Sequence, residues 1–230
     1  MDRAPLTRFD WCRQLPTPPE PVSTGYPRGV TTTVTSGTGT SDPRREFVLL
    51  GGRSCLNLVA TLGRRHTGDP VERVPDPHSL TRWLGAAGLV PESAAVSEQQ
   101  LQEARALRES IYVVVRATMS RRAADQAALE VVNSFALRPD LPPQLRGEGV
   151  DLTVGPGEVA DPVGAALAAV ARDAVLLLGG PGAGRIKECA HPDCSTLFVD
   201  ETQAGRRRWC SMERCGNQVK VAGYRRRRPA

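Results

Sequence analysis

Aromatic residues are scarce in this chain: three Trp, three Tyr and four Phe make up 4% of 230 residues. A core is still within reach, because 40% of the residues are hydrophobic, but Leu, Val and Ala must fill it. Long apolar runs are missing as well. The most apolar stretch, "VGAALAAVARDAVLLLGG", is interrupted by Arg172 and Asp173 and is shorter than a membrane span requires, so no stretch reads as a span and no membrane partner is expected. No basic segment followed by an apolar block opens the chain, so no secretory signal is read and a cytoplasmic location is expected. Catalytic signatures are lacking too. There is no Gly-x-Ser-x-Gly and no His-Glu-x-x-His, and "GGPGAG" at 179–184 is not followed by the Gly-Lys-Ser/Thr of a phosphate loop. His66 and His78 have no partner at metal or triad spacing, and Cys55 sits in an apolar run as a core residue. No catalytic residue is assigned, and no enzyme is expected.

Glycine and proline are plentiful, 22 and 19, and they divide the chain. Residues 1–44, rich in Pro, Gly, Ser and Thr, carry no sustained period and read as a disordered tail. Order is expected from Glu46. "EFVLLGG" and "SCLNLVATL" are short apolar runs, each either a buried strand or an early helix. "DPHSLTRWLGAAGLV" predicts a helix opened by His78 or Ser79, with Leu80, Trp83, Leu84 and Ala87 on one face and Gly88 at its end. A longer helix is predicted from Leu101 to Thr118, with Glu98 and Glu103 early and Arg121 and Arg122 at its end, as the helix dipole prefers. Another is predicted over Ala123–Ala136. A loop with one short strand, "VDLTV", follows, and then a helix with Pro162 in its first turn and a glycine stop. These readings give a mostly helical domain over 46–180, a Gly-rich hinge at 181–184 and a separate segment over 185–228.

That last segment holds four of the six cysteines, as two pairs of equal step, Cys189/Cys194 and Cys210/Cys215. In a reducing compartment such clusters are metal ligands more often than disulfides. Four soft thiolates suit one tetrahedral, structural Zn2+, with no open position for chemistry. His191 lies inside the first step and could replace one cysteine, whereas Asp193 reads as a turn residue. Between the pairs, "STLFV" predicts a strand, "DETQAG" a turn and "RRRWC" the returning strand, and a helix follows over "SMERCGNQVKVAGYRRRR". So short a segment buries too little to fold alone. Metal binding supplies the deficit, on the order of 10–16 kcal/mol in zinc-finger peptides. The fold class is therefore a mainly α N-terminal domain with a few short strands, plus a small treble-clef-like zinc finger of knuckle, β-hairpin and helix.

Charge is concentrated in the same place. Residues 185–230 carry eleven basic and five acidic side chains out of 30 and 25 in the chain, so the net +5 belongs to this end. Arg206, Arg207, Arg208, Lys220, Arg225, Arg226, Arg227 and Arg228 flank the cysteines and are candidate phosphate contacts, and Asn217, Gln218 and Tyr224 are available for bases or stacking. The alternative is solvation of an arginine-rich surface. Alternation along the returning strand would point Arg207 away from Arg206 and Arg208.

"RRRWCSMERCGNQVK" closely resembles the CGNR-type zinc finger, and "SCLNLVATL", "SLTRWLGAAGLV" and "ARALRESIY" are similar, in order, to recurring stretches of the ABATE domain that precedes that finger. The resemblance covers roughly residues 46–225. It implies a bacterial, stress-induced transcription regulator whose zinc-stabilised C-terminal module binds DNA. One position departs from the family step: Cys-Gly-Asn-Arg reads Cys215-Gly216-Asn217-Gln218. If that side chain meets a phosphate, affinity falls. If it meets a base, preference moves from guanine toward adenine, and if it only braces the finger, little changes. Two functions stay open. One is a DNA-binding regulator whose helical domain senses an effector or forms a homodimer. The other is a protein- or RNA-interaction module in which the finger is a scaffold.

Overall fold

The computed structural model describes residues 46–226 apart from 91–93 and 149. The tail over 1–44 and Arg227 and Arg228 lie outside the described residues, as do the side chains of Tyr224, Arg225 and Arg226.

"SCLNLV" resolves as a helix rather than a strand, α1 (Ser54–Val59), with Cys55, Leu56, Leu58 and Val59 buried. "FVLLGG" before it forms neither helix nor strand and bends at Gly51 and Gly52. A minimal antiparallel pair follows, β1 (Leu62–Gly63) and β2 (Val71–Glu72). Helix α2 (Pro77–Ala86) starts earlier than expected. Asp76 accepts a hydrogen bond from Ser79 N, and Pro77 occupies the first turn, where its missing N–H costs nothing. Leu80, Trp83 and Leu84 point inward, and Gly88, with φ +68°, turns the chain out of the helix.

The central element is α3 (Glu98–Met119), opened by a reciprocal capping box between Ser97 and Gln100. Its buried stripe is Leu101, Ala104, Leu107, Arg108, Ile111, Val114 and Val115. Arg108 is in that stripe because Glu72 and Glu109 neutralise it at 2.9 and 2.7 Å. Helix α4 (Gln126–Ala136) begins three residues later than expected, since Asp125 caps it by accepting from Ala128 N. Helix α5 (Pro162–Leu178) runs through the core, capped by Asp161. Between α4 and α5, the expected single strand is half of a hairpin, β3 (Pro143–Glu148) with β4 (Asp151–Pro156). Leu145, Leu152 and Val154 are solvent-exposed on it.

The segment read as a hinge is a short 3-10 helix, Pro181–Arg185. Strand β5 (Ile186–Glu188) follows and pairs antiparallel with β6 (Leu197–Val199). Ile186, Leu197 and Val199 belong to the same apolar cluster as Leu56, Trp83, Ile111 and Leu167. The chain on both sides of 181–184 thus shares one core. Among the described residues, no helix is long and apolar enough to cross a membrane.

Candidate metal centre and finger surface

The expected returning strand "RRRWC" does not form. Strand β6 pairs with β5, so the hairpin brackets the first cysteine step instead of joining the two steps. Asp200 is the reason. Its side chain, 1% exposed, turns inward and accepts from Arg207 N at 2.9 Å, Lys187 Nζ at 2.7 Å and both Thr202 N and Thr202 Oγ1. Arg185 donates to Asp200 O and Thr202 O, and Gly205 supplies a left-handed residue with φ +59°. Residues 200–207 are therefore held as a loop. The lysine hydrogen bond first, and Thr202 next, hold the Asp200 carboxyl well below the usual carboxylate range.

The loop returns the chain to the first step. Ala190 N donates to Arg208 O, and Cys210 N donates to Cys189 Sγ at 3.4 Å. Cys194 N donates to His191 O, closing the knuckle. After Cys210, Ser211 accepts from Arg214 N and opens a wide π turn, Met212–Gly216, that carries Cys215 into α6 (Asn217–Arg226). Gly216 is closely packed: a Cβ there would meet Met212 Sδ at 2.6 Å and Trp209 Cδ1 at 3.1 Å, so the Met212 side chain would have to shift.

These elements bring the Sγ atoms of Cys189, Cys194, Cys210 and Cys215 within 4.8 Å of one another. Cys194 and Cys210 are 3.9 Å apart, and Cys210 and Cys215 are 3.6 Å apart. A tetrahedral Zn–S distance of about 2.3 Å separates sulfurs by about 3.8 Å, so the donor set and its spacing fit zinc. The clustered thiols also oppose one another's ionisation. Hydrogen bonds with the Cys189 and Cys194 sulfurs, then burial, hold the Cys210 thiol well above its ordinary range. Burial and the charge of Cys194 push Cys215 up to about 12, whereas donation from the Cys189 and Cys210 thiols lowers Cys194. One negative charge among the sulfurs suppresses the next, and a divalent cation removes that conflict. His191 is outside the cluster; its Nδ1 accepts from Asp193 N at 3.1 Å.

The expected surface residues separate into two groups. Arg206, Arg208, Asn217, Gln218 and Lys220 are exposed. Arg207 faces the other way. Its guanidinium lies 4.4 Å over the Phe198 ring and donates to Trp209 O and Cys210 O, so it braces the centre from within. Sequence reasoning missed the Arg185–Lys187–Asp200 brace. Its one legible signal was Asp200-x-Thr202, a side-chain-closed turn directly after an apolar triplet. His66 was also missed as a contact: its Nε2 lies 2.8 Å from Pro192 O in the knuckle. Beside it, His66, Tyr112, Arg116, Glu188 and His191 line an open cleft of about 350 Å³.

Four clustered thiols at a hairpin knuckle and a helix start define a zinc-finger protein holding one structural zinc. The finger's own family model, the CGNR zinc finger, matches residues 185–228. The chain belongs to the ABATE family, whose model matches residues 52–181 and is described as "Putative stress-induced transcription regulator". No curated protein matches the chain.

Proposed function

We propose that this protein is a non-enzymatic, zinc-dependent regulator that binds duplex DNA through its finger. The observation that carries the reading is the distribution of side chains around the thiol cluster. Arg206, Arg208 and Lys220 stand in solvent on the loop and helix that enclose the metal, together with Asn217 and Gln218. A rigid, metal-fixed platform presenting cations suits phosphate contact, and short amides at a helix start suit base edges. Arg207 belongs to the brace and not to the contact surface. The helical domain senses an effector or carries a dimer surface, which the exposed Leu145, Leu152 and Val154 of the β3–β4 hairpin could supply.

The test is a salt-titrated binding assay with the zinc-loaded full chain. Each phosphate contact contributes a log–log slope of about −0.9. Replacing Arg206, Arg208 and Lys220 together by Ala should flatten the slope by roughly 2–3 and weaken every sequence alike. Gln218→Ala should relax preference at one position, by about 1–3 kcal/mol, if the amide reads a base. RNA or protein capture without affinity for any duplex pool at low salt would replace this reading with the scaffold one.

A further inference from the structure

The finger and the helical core are separated by a two-faced layer. In β6 all three residues are buried, but alternation sends them to opposite sides. Leu197 and Val199 pack in the helical core, while Phe198 packs with Cys189, Cys210 and Cys215. The segment at 47–51 divides in the same way: Phe47 and Leu49 pack on the helical core, and Leu50 packs on the thiol side. Val199 N donates to Gly51 O at 3.0 Å and ties the two segments together. Gly51 leads directly into α1, where Cys55 is 0% exposed and its N–H is held by Asp173 Oδ2 at 2.9 Å.

Polar contacts line the same boundary. Arg73, 7% exposed, donates to Glu46 O and Ala60 O. Gly63 packs on its guanidinium, and two residues on, Arg65 N donates to Ser195 Oγ, beside Cys194.

We propose that metal loading in the finger closes the core of the N-terminal domain through this two-faced layer, so that metal loss is transmitted to the core around Cys55. On loss of zinc, Phe198 and Leu50 lose a fixed packing surface, and the two-faced layer loosens on both sides at once. The finger becomes a reporter of metal availability to the helical domain.

The experiment uses the zinc-loaded full chain in native buffer. A chelator withdraws the metal, a colorimetric indicator follows its release, and maleimide labelling of the Cys55 peptide is read by mass spectrometry. Labelling of Cys55 should accelerate by about tenfold or more on metal release, as local opening requires, and should fall back when zinc is returned. Full labelling of the four finger thiols with Cys55 still protected would overturn the coupling.

Discussion

Asp200 shows how one carboxylate decides the shape of the finger. Four donors converge on it, and the loop they fix is what denies "RRRWC" a strand partner. Its folded pKa is depressed, so it stabilises the fold fully above the unfolded value of about 4, and that contribution is lost as pH falls through the lower folded value. Asp200→Asn should therefore lower the melting temperature most at neutral pH, and the gap to the wild type should close in acid. A pH series of paired melts checks this, and a gap that widens in acid would contradict the assignment. At this scale the sequence was legible where chemistry repeats. The four cysteines announce themselves by equal steps, but Arg207 looks the same as Arg206 and Arg208 in a string of letters. Only the Phe198 ring and the carbonyls of Trp209 and Cys210 distinguish it.

Elements were legible in proportion to their length. The inner stripe of α3 follows from its period, and α5 from its apolar run between Asp161 and the glycines. Starts were harder to place, because the capping side chains Asp76 and Asp125 lie outside the apolar pattern that locates a helix. The capping box on α3 carries its own test. Ser97→Ala removes the acceptor for Gln100 N and should lower stability by about 1 kcal/mol in urea unfolding. An unchanged midpoint would mean that Gln100, which also donates to Asp161 at 3.0 Å, holds that end alone. The pairing of β5 with β6 was not legible. Three-residue strands carry too few alternations to name a partner, and the more basic segment downstream offered a competing one.

For the whole molecule, the question is whether 46–180 and 185–228 are separate bodies. Family boundaries fall between residues 181 and 185, yet Ile186, Leu197 and Val199 complete the apolar core built by α1, α3 and α5. Glycine-rich composition suggested a hinge. A core shared across it cannot be read from composition, since its partners lie more than 100 residues away, as in Val199 with Gly51. Leu197→Ala, placed in the finger, should cost about 2–5 kcal/mol and lower the melting of the α-helical signal from the N-terminal domain. A helical transition that does not move would favour two independent domains.

The two-faced layer has a consequence for how the protein is made. A ribosome delivers the chain from its N-terminus, so α1 through α5 emerge while Ile186, Leu197 and Val199 are still to come. The helices must wait with an uncovered apolar face until the last fifth of the chain arrives. A product truncated near residue 180 would keep that face open and be a substrate for chaperones or proteases. Full-length synthesis becomes a condition for a closed core.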